Sequence, residues 1–157
     1  MKKIMLCLLA NLLIFNACRR DVLDLSDCGD TVDLRLSAND IFTFGSSGGF
    51  GGGGLGNYKI KNGQLFRILP NRDSLLSNDL FLEAQSIVTN FPRALKNSPN
   101  QDWVGQCNDS VTFFAEIALP NGTKQAWGID ACDSNAPSYA KCYAGKVQKL
   151  SSFLLTK

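Results

Sequence analysis

Histidine is absent from all 157 residues. No Ser-His-Asp or Cys-His triad can be assembled, and no metal site can use an imidazole ligand. An excess of either charge is lacking too: 16 Lys and Arg stand against 14 Asp and Glu. Lys2 and Lys3 sit in a segment expected to be removed, which leaves 14 against 14. That balance argues against a broad basic surface for nucleic acid. No apolar run reaches the roughly 20 residues of a comfortable bilayer span, no Gly-Lys-Ser/Thr phosphate loop occurs, and no repeat of useful length is visible. What remains is 45% apolar and 19% charged, the composition of a folded chain long enough for one domain with a real core.

The first residues read as an export signal. Lys2 and Lys3 give a positive start, Ile4 to Phe15 is apolar but for Asn11, and Asn16-Ala17-Cys18 leads into Arg19-Arg20-Asp21. An ordinary signal peptidase wants small residues at −1 and −3, and Phe15 fails the second requirement. Phe15-Asn16-Ala17-Cys18 instead resembles the lipobox of bacterial lipoproteins, Leu-(Ala/Ser)-(Gly/Ala)-Cys, with Phe15 and Asn16 as departures. The resemblance implies cleavage after residue 17, a diacylglycerol on the Cys18 sulfur and an acyl chain on its new amino group. Several chains are what stable anchoring requires. The expected organisation is a signal peptide over residues 1–17, a lipidated Cys18 and polar tether over 18–30, and a single domain over 31–157. The expected location is the bacterial cell envelope, lipid-anchored, at the outer membrane or periplasmic side.

Six cysteines are present. Cys7 would leave with the signal and Cys18 would carry lipid, so Cys28, Cys107, Cys132 and Cys142 remain. An even number in an exported chain reads as two disulfides, with three connectivities open. Zinc sites need close pairs such as Cys-x₂-Cys, and the nearest pair here, Cys132 and Cys142, has nine residues between. Cys107 and Cys132 both fall near the open end of one expected hairpin, which favours that pair. Cys28 with Cys142 follows by exclusion.

The tether carries Asp21, Asp24, Asp27 and Asp30. Alternation over Thr31 to Ser37 predicts a first strand, and Ile41 to Phe44 a second. Tyr58 to Lys61 and Gln64 to Leu69 flank Asn62-Gly63, a strong hairpin signal because both turn positions need positive φ. Ser74 to Phe91 predicts a helix with Leu76, Leu80, Ala84, Ile87, Val88 and Phe91 on one face, Ser77 at its cap and Pro92 beyond its end. Asn97 to Asp102 reads as loop. Val111, Phe113, Ala115, Ile117 and Leu119 alternate on one strand, and Trp127, Ile129 and Ala131 share a face of the return strand after Pro120-Asn121-Gly122-Thr123. Ser134 or Asn135 is expected to cap a last helix entered at Pro137, with Tyr139, Tyr143, Val147, Leu150 and Leu154 on its inner side. The order predicts an α+β domain: an antiparallel sheet of hairpins with two amphipathic helices packed on one face.

Gly45 to Gly56 holds eight glycines in twelve residues. Gly51-x-Gly53-x-x-Gly56 matches a dinucleotide fingerprint in letters only, since a hairpin strand follows where a helix should. A free connector is the least demanding reading, because ordering glycine costs backbone entropy. Phe50 points the other way: a lone large aromatic among glycines can anchor in a partner's pocket. Ser47-Gly48-Gly49-Phe50-Gly51-Gly52 is similar to the Ser-Gly-Gly-Phe-(small)-Gly motif of emfourin-like proteins, small bacterial inhibitors of thermolysin-type metallopeptidases. Their layout of early strand, glycine motif, Leu-bearing helix, late hairpin and C-terminal helix is comparable over about Thr31 to Leu154. The lipid signal, the four Cys and the longer glycine run depart from that family.

The emfourin resemblance implies a non-catalytic binding module whose partner is a secreted metallopeptidase and whose contact residues are those of the motif, and the lipobox resemblance implies attachment to the membrane through lipid. If the glycine segment only joins two strands, the chain reads instead as a structural or adhesive envelope lipoprotein. No catalytic residue, cofactor or metal is assigned. Glu116 and Glu83 read as solvated carboxylates, Asp130-x-x-Asp133-x-Asn135 lacks a calcium-loop pattern, and Trp103 and Trp127 read as packing residues. A His-free hydrolase would need carboxylates clustered in a cleft.

Overall fold

The computed structural model describes residues 28–48, 56–104, 111–130 and 132–157. Over these the chain forms nine strands and three helices: β1 (Thr31–Val32), β2 (Ile41–Gly48), β3 (Asn57–Lys61), β4 (Gln64–Ile68), β5 (Asp73–Leu75), α1 (Asn78–Thr89), β6 (Phe91–Pro92), α2 (Arg93–Lys96), β7 (Gln101–Trp103), β8 (Val111–Ala118), β9 (Lys124–Asp130) and α3 (Ser138–Leu155). Seven strands make one sheet in the order β5-β4-β3-β2-β8-β9-β7, and β1 pairs with β6 apart from it. The fold is α+β, as the alternating and helical periodicities predict.

The sheet is antiparallel except at one edge, where β7 runs parallel to β9. Residues 97–102, expected as loop, thus contribute to a strand. Trp127 draws this stretch in. Its buried indole Nε1 donates to the carbonyls of Leu95, 2.9 Å, and Ser98, 2.8 Å. Asn100 then turns at φ +59° and its Oδ1 accepts from the N–H of Ala126, 3.1 Å. The edge strand is set by these side-chain contacts and carries no alternation of its own.

Further boundaries move: β2 runs on to Gly48, and the helix expected to reach Phe91 ends at Thr89, with Phe91 and Pro92 paired to β1. The N-terminal strand stops at Val32, and beyond it Asp33 Oδ1 accepts from Arg35 N, 2.9 Å, and Asp40 Oδ2 from Ser37 N, 2.7 Å. These local bonds turn the backbone, yet Leu34 and Leu36 still pack on the core. The first long helix begins at Asn78 and not at Ser74, because Asp73–Leu75 bonds to β4 and Leu76 N reaches Leu65 O, 2.9 Å. Ser77 holds the N-cap position without a side-chain cap bond. Ladder bonds to an existing sheet outcompete a marginal first helical turn. α3 likewise has no side-chain cap, with Pro137 at the N-cap position ahead of Ser138; Asp133 Oδ1 accepts from Asn135 N, 2.8 Å, in its own turn.

The β8–β9 register decides the core. Phe113 faces Ile129 and Ala115 faces Trp127, around a connection in which Leu119 N meets Thr123 O, 2.9 Å. A two-residue turn at Asn121-Gly122 would slip the pairing by one and set Glu116 opposite Trp127, sending one apolar set to solvent. Both strands point inward together, so the longer connection wins. On that inner face Phe42, Phe44, Tyr58, Leu65, Trp127 and Ile129 are buried, covered by Ile87 of α1 and Tyr143, Val147, Leu150 and Leu154 of α3. Phe91 sits between the layers, its ring centroid 5.0 Å from both Trp127 and Tyr143.

Cys28 and Cys142 form a disulfide, with Cα atoms 5.4 Å apart. It ties the start of the described chain to the second turn of α3. Cys132 is also disulfide-bonded; its expected partner Cys107 lies outside the described residues. No helix among the described residues is long and apolar enough to cross a membrane.

Candidate functional site

The glycine-motif residues divide at the end of β2. Ser47 and Gly48 are strand residues, paired with Thr112 and Val111 of β8. Gly49, Phe50, Gly51 and Gly52 lie outside the described residues, as does Cys18. On its other side β2 is paired only as far as Gly45, opposite Asn57. The central strand therefore runs three residues past the last paired residue of its neighbour β3 before the motif continues. Phe42, Phe44 and Ser46 are buried and Ser47 is exposed, so the inward set of the strand continues as far as Ser46.

The base of this segment is built for close approach. A Cβ at Gly45 would lie 2.5 Å from the Asn57 side-chain amide and 2.7 Å from the Gly56 carbonyl. Only glycine fits there. With its nitrogen turned inward, the Asn57 amide donates to the carbonyls of Ser46 and Gly56, 3.2 Å each, and so bridges the outgoing and returning strands. Gly56 returns at φ +91°, a backbone state that glycine tolerates. A Cβ there would meet the Tyr58 hydroxyl at 3.1 Å.

Tyr58 and Arg67 support that base from the helical side. The Tyr58 ring stacks on Phe44 at 5.5 Å, and its hydroxyl donates to the carbonyl of Ser151 on α3 at 3.5 Å. Arg67 lies opposite Tyr58 on β4, its guanidinium carbon 5.8 Å from the ring centre. Desolvation raises the Tyr58 pKa, with the Arg67 charge and hydrogen bond pulling the other way. Arg67 also donates to the carbonyl of Leu154, while its Nε and the Ser151 hydroxyl are buried with no partner among the described residues. Neither Asn57 nor Arg67 was singled out by the sequence reading. The signal for Arg67 lies in turn arithmetic: a two-residue Asn62-Gly63 turn puts it opposite Tyr58, on the face shared with Ile60 and Leu65.

The remaining candidates are spread over the molecule. Glu116 points to the outer sheet face and pairs with Lys124 at 3.0 Å; Glu83 lies within α1. Asp130 is buried, and its Oδ1 accepts from Cys132 N at 3.1 Å. The Cys132 sulfur is equally near, but a disulfide sulfur has no proton to donate. Two carboxylates, Asp102 and Glu116, do line one trough of about 440 Å³ on the outer sheet face, over Phe114, Ala126 and Gly128. Glu116 is committed to Lys124, and Asp102 folds over Gly128, where a Cβ would strike it. Among the described residues no three His, Cys, Asp or Glu side chains are grouped to hold a metal ion.

No protein-family profile, curated protein or solved structure matches this chain.

Proposed function

We propose that this chain is a lipid-anchored protein of the bacterial envelope that acts by binding. In this reading it is an emfourin-like inhibitor that presents Ser47-Gly48-Gly49-Phe50-Gly51-Gly52 to the cleft of a secreted thermolysin-type metallopeptidase. Its mechanism is occlusion: Phe50 fills an apolar pocket, and the flanking glycines let the two backbones come close.

The observation that carries the reading is the departure of the motif from β2. Ser47 and Gly48 end the central strand of a seven-stranded sheet, paired there with β8, and Gly45, Asn57 and Gly56 draw the two ends of the segment together. A binding segment on a stiff base loses less entropy on docking than one on a free linker. The Cys28–Cys142 bond supports export, since disulfides persist in oxidising compartments. Acylation of Cys18 would then hold the domain at the membrane.

The test adds the unlipidated protein to a thermolysin-type peptidase and follows peptide hydrolysis. Inhibition at micromolar protein, lost on Phe50→Ala with the fold intact, is the expected result. Full peptidase activity in the presence of the parent protein would overturn the inhibitor reading. Metabolic lipid labelling, abolished by Cys18→Ala, tests the anchor separately.

A further inference from the structure

We infer that the solvent face of α3 is a docking surface for an anionic phospholipid bilayer. The inference rests on the lipid-anchor part of the proposed function for the nearness of the membrane, and is independent of peptidase inhibition.

The two long helices lie side by side on the same face of the sheet and carry opposite charge. α1 holds Asp79 and Glu83 and no Lys or Arg. α3 holds Lys141, Lys146 and Lys149 and no Asp or Glu, and Lys157 follows its end. At 100° per residue, Lys141, Gly145, Gln148, Lys149, Ser152 and Leu155 form one outward stripe. Leu155 is 49% exposed, and space is open above Gly145. Asp21, Asp24 and Asp27 of the tether lie outside the described residues. The nearby acids among the described residues are otherwise engaged. Asp30 pairs with Arg93 at 2.6 Å, Asp130 is buried, and Asp133 bonds within its own turn ahead of the helix. Among the described residues α3 is therefore the basic side of the helical layer and α1 the acidic side, and a negative surface is drawn to α3 and repelled by α1.

The attachment point selects the same face. Cys28 is bonded to Cys142 on α3 itself. Ten residue steps separate it from Cys18, and ten steps of fully extended chain reach at most about 35 Å. The disulfide thus brings the anchored end of the chain to the basic helix. A lipid anchor and a basic patch on one side act together, each cation near an anionic surface adding its own increment.

Gly145 provides the test. Both Gly145→Lys and Gly145→Glu place a side chain in open space and remove the same helix-weakening glycine, so they differ chiefly in charge. The chain from residue 18 with Cys18→Ser, which has no lipid, is sedimented with phosphatidylcholine vesicles with and without phosphatidylglycerol, at low and physiological salt. Binding should require phosphatidylglycerol and weaken with salt. Gly145→Lys should bind about fivefold tighter than the parent, and Gly145→Glu about fivefold weaker, from the increment expected per charge at a lipid surface. Lys141→Glu with Lys149→Glu should abolish sedimentation. Equal partition to neutral vesicles, or equal affinity of the two Gly145 variants, would overturn the inference. So would release by soluble glycerol phosphate at the headgroup concentration, which would indicate a headgroup pocket and not a bilayer surface. If Cys18→Ala leaves lipid labelling unchanged, the anchor reading falls while the vesicle result stands.

Discussion

The guanidinium of Arg67, on strand β4, donates to the carbonyl of Leu154 in the last turn of α3, 87 residues away. A helix leaves its last carbonyls without intrahelical partners, and a cation there also meets the negative end of the helix dipole. Arg67 thus fastens the end of α3 to the sheet beside Tyr58, whose hydroxyl holds Ser151 one turn earlier. Arg67→Met, which keeps most of the apolar stem, is expected to cost about 1.5–3 kcal/mol, the range for a hydrogen bond to a charged group. Denaturant unfolding should show a lower midpoint at unchanged slope, and amide exchange should speed up first at the end of α3.

The Cys28–Cys142 bond spans 114 residues of sequence. Loop-closure entropy assigns a cross-link of that length about 4–5 kcal/mol, and measured losses of native bonds run about 2–5. Cys28→Ser with Cys142→Ser should lower the melting temperature by that equivalent. Reductant should then shift the parent more than the variant. Equal melting of variant and oxidised parent would show that the bond carries no stability.

Two glycines make opposite predictions for the same substitution. Gly45→Ala forces a Cβ against the Asn57 amide and the Gly56 carbonyl, and overpacking of that kind costs about 1–3 kcal/mol. Gly145→Ala meets nothing within 4 Å and should stabilise α3 by up to about 1 kcal/mol through helix propensity. Thermal unfolding of both variants beside the parent checks the pair.

Alkaline pH should destabilise the fold through its tyrosines. Burial raises the Tyr143 pKa well above the ordinary 10.0 and raises that of Tyr58 as well. In the unfolded chain both phenols lose their protons near pH 10 while the folded chain keeps them. The unfolded state then binds fewer protons, so stability is intact below pH 10 and falls as pH rises above it. Unfolding free energies measured from neutral pH upward should show this decline. Tyr143→Phe should flatten it, at the cost of the hydroxyl bond to Ile87 O.

The α+β class and most of the core could be read from periodicity. Phe113, Ala115 and Ile117 alternate, Trp127 and Ile129 answer them, and Val147, Leu150 and Leu154 recur at helical spacing. Burial follows each pattern, because the hydrophobic effect acts on the same periods that strands and helices impose. The Asn62-Gly63 turn was equally legible, as a pair of positive-φ positions, 54° and 67°. Counting leaves three connectivities open, and Cys28 with Cys142 follows by exclusion once Cys107 and Cys132 are assigned to the open end of one hairpin. Of the candidate binding segment, the sequence marked the motif but not its seat.

Sequence alone settled which residues turn inward, since that depends on the order of apolar and polar side chains. Tertiary contacts decided where elements start and what they join. Asp73–Leu75 became strand because β4 offered a ladder, Gln101–Trp103 because the Trp127 indole held the chain beside β9, and the β8–β9 connection lengthened because two inner faces had to coincide. The clamp of Arg67 on α3 and the bridge of Asn57 beneath the glycine segment arise the same way. Such interactions depend on distances between residues far apart along the chain, and those distances exist only once the layers have packed.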